Sequence, residues 1–308
     1  MATVGVTDPA APVATASAIH HHTDPRPGVP PVHYVERAGP PGWPQERALV
    51  LTHGLGGNWE NYDRAMPALA ERARTIAIDL PGFGASPLPD GGISFDDHVD
   101  AVAAVLEHAS VTQVVIAGHS MGGPLVLRFA QRYPGRASAV VLVCGTVQCF
   151  QQTLGLRLRP WLRAPRTAAA TVAEVVMAAG PVPRVLHKPL STTRIGRRIA
   201  LWLFVHNTAE LPARFALSII AGAGARGVLP TARALGRITG WEHADHHGLP
   251  PAYAINGVYD LISPLGDLKR FPIPLRRATV FRTGHQVMLE EPVLFVEEMA
   301  RIMDEAWN

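Results

Sequence analysis

Three residues far apart in the sequence, Ser120, Asp260 and His285, have the types needed for nucleophilic acyl chemistry. A serine hydroxyl attacks a carbonyl only when a base takes its proton, and a histidine serves best when a carboxylate fixes its tautomer and stabilises its charged form. Ser120 lies in Gly118-His119-Ser120-Met121-Gly122, after the apolar run 114–117 and before a helical stretch that starts near Pro124. A sharp strand-to-helix turn would hold the hydroxyl above a sheet and close to a helix N-terminus, and only small flanking residues tolerate that turn. The five-residue pattern alone also fits an ordinary glycine-rich turn. Its position between strand and helix gives it weight.

Upstream, His53-Gly54-Leu55-Gly56-Gly57 follows a second apolar run that ends at Thr52. Backbone amides in such a loop can approach a reacting oxygen, and the N–H groups of Leu55 and Met121 form the expected oxyanion hole. Without Ser120 the same loop would suit a phosphate equally well. Counting cannot select a base among fourteen histidines, but position can. His285 follows the run 278–282, and Asp260 follows the run 252–256, so both fall just past strand ends, as Ser120 does.

These strands must belong to one frame. Residues 32–37 read as a first strand, and runs at 48–52, 75–79, 113–118 and 139–143 are short and apolar, as expected for strands buried on both faces of a parallel sheet. Helical patterns at 60–72, 95–108 and 124–132 separate them. In the second, Val99, Val102, Val105 and Leu106 share a face, and Ser94 with Asp97 offers an N-terminal cap. The alternation predicts a doubly wound, mostly parallel α/β sheet whose ligand sites lie beyond the carboxyl ends of its strands. It stops at residue 147 and resumes at 252–257, 278–282 and a final helix over 293–306. Residues 31–146 and 250–308 therefore form the core. The block 147–249 is expected to be a helical insertion, since a structureless loop of that length is improbable. Residues 1–30, with His20, His21 and His22, are expected to be a flexible leader that holds no fixed metal geometry.

Taken together, the sequence resembles the α/β-hydrolase superfamily, in particular its prolyl-aminopeptidase, haloperoxidase and C–C-hydrolase-like branch. The residues that carry the likeness are the loop 53–57, Asp79-Leu80-Pro81-Gly82-Phe83-Gly84-Ala85-Ser86, the turn 118–123, Gly257 to Asp260 with Ser263-Pro264, and Gly284-His285 with Glu291-Pro292. The order Ser120, Asp260, His285 is that of the fold's catalytic triad. The resemblance implies that 79–86 is a structural loop beside the site, that the insertion after the sixth strand is a cap, and that a serine nucleophile excludes the aspartate-dependent epoxide hydrolases and dehalogenases.

The cap supplies Trp161, Trp202, Phe204, Phe215 and Trp241 as candidate walls of an apolar substrate pocket. Its first half is basic: Arg157, Arg159, Arg163, Arg166, Arg184, Lys188, Arg194, Arg197 and Arg198 face one acid, Glu174. Either a solvated helix face or an anionic partner accounts for this, the partner being a carrier protein, a CoA ester or a membrane surface. Leu154, Leu156, Leu158 and Leu162, interleaved with Arg157, Arg159 and Arg163, suggest an amphipathic helix. A net charge of +3 over 308 residues does not imply nucleic acid. Two cysteines, Cys144 and Cys149, suit a reducing cytoplasm, and neither a secretory signal nor a bilayer-spanning run is apparent. No metal or organic cofactor is implied. The expected activity is hydrolysis of a carboxylic ester or thioester of an apolar substrate through an acyl-enzyme. An acyltransferase, a cyclase or a C–C hydrolase would use the same triad, and a ligand receptor on this fold is less favoured.

Overall fold

The apolar runs pair side by side into one sheet. The computed structural model describes residues 18–24, 30–238 and 248–308. Its strands are β1 (Ile19–His22), β2 (His33–Arg37), β3 (Arg47–Thr52), β4 (Thr75–Ile78), β5 (Gln113–His119), β6 (Ala137–Val143), β7 (Ala252–Gly257) and β8 (Leu275–Phe281). They lie in the order β1-β2-β4-β3-β5-β6-β7-β8, antiparallel across the first two pairings and parallel thereafter. Thr52 pairs with Gly118, and His119 pairs with Val143, so the carboxyl ends of β3, β5 and β6 are level. That common edge carries the functional loops.

The helices are α1 (Met66–Ala70), α2 (Phe95–His108) and α3 (Gly122–Arg132); then α4 (Gln148–Leu154), α5 (Leu158–Arg163), α6 (Pro165–Ala179), α7 (Arg184–Thr192), α8 (Arg194–Leu201), α9 (Ala213–Gly222) and α10 (Val228–Arg237); then α11 (Leu265–Lys269), α12 (Val287–Glu290) and α13 (Pro292–Trp307). One face of the sheet packs Val50, Val114 and Val140 against Val99 and Val102 of α2 and Leu125 and Phe129 of α3. The other packs Leu49, Val115 and Val141 against Met66 and Leu69 of α1 and Phe295, Met299 and Ile302 of α13. Helices on both faces explain why the central strands lack polar alternation. The cap of α2 forms as its sequence predicts: Ser94 Oγ accepts from the Asp97 N–H, and Asp97 Oδ2 accepts from the Ser94 N–H.

Helices α4 to α10 all fall between β6 and β7, after the sixth strand. This helical insertion is pinned by Arg197, whose buried guanidinium donates to the carbonyls of Ser191, Thr192, Thr208 and Ala209. This arginine is a structural rivet and does not contribute to surface charge.

Local differences from the sequence reading have physical causes. Residues 60–72 are not one helix: a 3-10 turn at Trp59–Tyr62, capped by Asn58, precedes α1, where Pro67 occupies the first turn. The expected amphipathic helix across 154–163 is interrupted, because Leu156 adopts φ 55° between α4 and α5. Part of the expected leader is not a tail, since Ile19–His22 pair with β2 as an edge strand. Strand alternation sends His20 and His22 against His33 and His21 against Tyr34, so the three imidazoles do not converge.

Candidate active site

The turn from β5 into α3 is built by exclusion. Ser120 has φ 51°, a left-handed conformation that costs energy for a residue with a side chain. Its flanks leave no room for alternatives: a Cβ on Gly118 would lie 1.9 Å from the Gly122 oxygen, and one on Gly122 would lie 2.8 Å from Thr52 Oγ1. The Ser120 N–H donates to the Val143 carbonyl at 2.9 Å, which ties the turn to the neighbouring strand. Ser120 Oγ is thereby held at the carboxyl edge of the sheet, at the start of α3.

His285 and Asp260 meet at the same edge. His285 Nδ1 donates to Asp260 Oδ2 at 2.8 Å, with both side chains buried. Asp260 Oδ1 accepts from the backbone N–H groups of Ile262 and Ser263 at 2.8 and 3.0 Å. Burial alone would raise the Asp260 pKa, but the His285 ring and these donors prevail and hold it below the usual carboxylate range. For His285 burial favours the neutral ring, and the Asp260 carboxylate outweighs it, so its pKa lies above the ordinary 6.5. His285 Nε2 and Ser120 Oγ make no hydrogen bond, to each other or to any described residue. Both line one cavity. Such contacts commonly tighten only when substrate binds.

The glycine loop 53–57 packs directly over the serine. A Cβ on Gly54 would meet Ser120 Cβ at 2.7 Å, so only glycine lets the loop lie this close. The loop is fixed by His53, whose Nδ1 donates to the Gly54 carbonyl at 2.7 Å and whose Nε2 accepts from the Leu80 N–H at 3.0 Å. Burial lowers the His53 pKa, in keeping with that neutral tautomer. Neither Leu55 nor Met121 has its N–H engaged by a backbone carbonyl among the described residues. Residues 79–86 brace this arrangement: Asp79 accepts from His33 Nδ1 and from the N–H groups of Trp59 and Ala85.

The cavity has a volume of about 260 Å³. Leu55, Met177, Leu190, Ile199, Phe204 and Ile220 give it a largely apolar wall, and among the described residues no arginine or lysine lines it. Of the four described aromatic residues expected there, Trp161, Trp202, Phe204 and Phe215, only Phe204 does so. Phe215 is buried in the core below, with Arg214 over its ring. Trp161 and Trp202 are exposed on the outside of the cap. They are long side chains on helix faces turned away from the sheet, which sequence alone cannot orient. Trp241 lies outside the described residues.

Cys144, with φ 47°, places its sulfur near Asp260 and His285. Burial first, and the Asp260 charge second, keep this thiol protonated well above its usual range. A protonated thiol beside a carboxylate that is already hydrogen-bonded makes a poor metal donor set.

A model of the alpha/beta hydrolase fold family matches residues 47–292. The chain belongs to the alpha/beta-hydrolase family. This alpha/beta-hydrolase is 38% identical over 112 residues to the dihydrolipoyllysine-residue acetyltransferase component of an acetoin cleaving system from Pseudomonas putida, a match that covers 36% of this chain and 29% of that protein. It is 36% identical over 112 residues to a 2-hydroxy-6-oxo-2,4-heptadienoate hydrolase from Pseudomonas putida, covering 35% of this chain and 41% of the relative. The matched segment is thus well under half the length of either protein. Among solved structures, a thermophilic esterase from Thermogutta terrifontis superposes with a TM-score of 0.69 at 19% identity, over 95% of this chain and all of that one. At that identity the likeness establishes the fold alone. No helix among the described residues is long and apolar enough to cross a membrane.

Three further residues of this hydrolase's site had no role assigned from the sequence. Glu174, on α6, is buried and lines the cavity with Oε2 unpartnered. Burial raises its pKa to about 8, with the neighbouring His285 pulling the other way, so it is mostly protonated at neutral pH. Its one trace in the sequence is its position as the lone acid of a basic stretch. His119 packs its ring 4.6 Å from that of His285 and donates from Nε2 to the His285 carbonyl at 2.8 Å. Glu290 accepts from the N–H groups of Gly284, His206 and Asn207, which staples the histidine loop to the cap.

Proposed function

We propose that the protein hydrolyses a carboxylic ester or thioester with an apolar acyl group, through an acyl-enzyme formed on Ser120. The observation that carries this reading is the pairing of an unsatisfied Ser120 Oγ with an unsatisfied His285 Nε2 in one cavity, the imidazole being held from behind by Asp260. His285 takes the Ser120 proton as the hydroxyl attacks the carbonyl, and Asp260 stabilises the imidazolium that forms. The amides of Leu55 and Met121 receive the developing oxyanion. The imidazolium returns its proton to the leaving group. Water, activated by the same ring, then releases the acid.

The apolar wall and the lack of a lining cation favour a neutral, hydrophobic acyl group. A substrate that carries a free carboxylate, as the dienoate in the Pseudomonas putida relative's name does, would find no arginine or lysine among the described lining residues to pair with it. The shared frame also suits acyl transfer to a second nucleophile, and product analysis with competing alcohols separates that outcome from hydrolysis. A panel of p-nitrophenyl esters and thioesters of graded chain length, run on wild type and Ser120→Ala, tests the proposal. Chain-length-dependent turnover that vanishes in the variant supports it, and equal rates in both proteins would refute it.

A further inference from the structure

The outer surface of the cap has an organisation that catalysis does not require. On α8, Arg194, Ile195, Arg198 and Ile199 fall on one face, with Trp202 one turn beyond. Ile195 is 74% exposed, Ile199 63% and Trp202 53%, whereas Gly196, Arg197 and Leu201 on the opposite face are buried. Val185 of the adjacent α7 is 79% exposed. Large apolar side chains are usually hidden in a globular domain, and a cluster of them open to solvent marks an interaction site. The cations beside them are unopposed locally, because no acidic residue occurs between Glu174 and Glu210, a stretch that contains Arg184, Lys188, Arg194, Arg197 and Arg198. With Arg197 buried in its carbonyl cage, the other four are exposed.

This surface leads into the cavity. Ile199 and Val176 are exposed and also line the pocket that contains Ser120. A groove along α8 is bordered on its far side by Tyr259 and Leu261, which flank Asp260 in sequence. The apolar patch therefore spans the seam between cap and core beside the entrance.

We propose that the α7–α8 face docks on an anionic phospholipid bilayer and that the pocket draws its ester substrate, an amphiphile, from that interface. A short helix with cations and apolar side chains together on its outer face suits the boundary between headgroups and acyl chains, where the cations meet phosphate and the apolar groups enter the hydrocarbon. Tryptophan is the side chain most at home at that depth. Each cation near an anionic surface adds roughly fivefold to partitioning, so four of them provide a strong dependence on lipid charge and on salt. The choice of substrate source rests on the hydrolase reading, while the docking itself does not.

Vesicle flotation of full-length Ser120→Ala protein, which binds without turning lipid over, measures the docking. Phosphatidylcholine vesicles with and without phosphatidylglycerol are compared at low and high salt. Binding is expected only with phosphatidylglycerol, and about tenfold or more should be lost in Arg194→Glu/Arg198→Glu and in Val185→Ser/Ile195→Ser. The same pairs of substitutions in an otherwise wild-type background should leave hydrolysis of a water-soluble ester within about twofold of normal, because none of these side chains lines the pocket. Binding that is absent, indifferent to lipid charge, or unchanged in both variants overturns the docking, and an acidic protein would then be the ligand of this face. Soluble-ester turnover without vesicle binding sinks the docking alone. Vesicle binding by a protein that turns over no ester sinks the catalytic reading alone.

Discussion

The backbone N–H of His285 donates to the carbonyl of Phe204 at 2.8 Å, which makes the cap part of the support for the histidine. Gln286 donates to the same carbonyl at 3.1 Å, and Glu290 bridges the Gly284 amide to those of His206 and Asn207. The insertion and the loop that carries His285 are thus one hydrogen-bonded unit. Glu290→Gln turns one of the two acceptor oxygens into an NH2 group, so at least one of the N–H donors of Gly284, His206 and Asn207 loses its acceptor. It should cost about 1–3 kcal/mol and lower kcat, because the imidazole loses its fixed seat. Thermal melts and steady-state kinetics of this variant check both expectations.

Ser120→Ala and Asp260→Asn probe the proposed triad at its two ends. Each should reduce kcat by about 10⁴-fold or more, Ser120→Ala by removing the nucleophile and Asp260→Asn by favouring the wrong histidine tautomer. Ser120→Ala should also abolish labelling by a fluorophosphonate probe, with circular dichroism unchanged.

The pH profile follows from the state His285 needs as a base. It works when neutral, and its pKa lies above 6.5 because of the Asp260 charge. The value of kcat/KM should therefore rise with pH through an inflection above 6.5. A profile that is flat from pH 6 to 8, within that window, would contradict the assignment.

Glu174 should leave a signature in stability. Its folded pKa of about 8 lies above the unfolded value of 4.5, so between those two the unfolded chain loses a proton that the folded chain keeps. Stability contributed by the protonated form is full below 4.5 and is lost as pH rises through about 8. Glu174→Gln removes this dependence. Its Tm relative to wild type should climb between pH 5 and pH 8, by about 2–4 °C for each kcal/mol recovered. A constant Tm difference would show that Glu174 is not protonated in the fold.

Gly54→Ala tests the closeness of the loop to the serine. The added methyl would stand 2.7 Å from Ser120 Cβ, so the loop or the serine must move. A displacement of about 1 Å in the oxyanion donors should cost roughly 10²-fold in kcat, with a smaller effect on KM. An unchanged kcat would mean that the loop is not a partner of the reaction.

Much of this frame was legible because chemistry and geometry are local in the relevant segments. The buried parallel strands announce themselves as unalternating apolar runs, and Gly118 is required by contacts with Gly122 and Gly123, within a few residues of Ser120. The placement of Asp260 against His285 followed from their position at strand ends. Orientation on the cap was not legible. Whether Phe204 or Trp202, two residues apart, faces the cavity depends on where α8 ends and how it packs, and periodicity does not specify that. Glu174 was visible as a lone acid, but its burial arises from tertiary contacts. The edge strand at Ile19–His22 was hidden because three histidines lack any β signature, and only pairing with β2 orders them.

The sheet neighbours β6 and β7, paired from Val140↔Ala252 to Val143↔Ile255, are separated in sequence by the whole cap. During synthesis β6 must therefore wait as an open edge, with Val140, Val141, Leu142 and Val143 paired to β5 on one side only, until more than a hundred further residues have been made. Chains that end before β7 would keep that edge permanently, without Asp260 or His285, and would be both inert and prone to aggregate. His285 follows His119 by 166 positions, so the nascent polypeptide carries its serine long before it carries its base. With the proposed triad, reactivity thus arrives only with the last strands of the sheet.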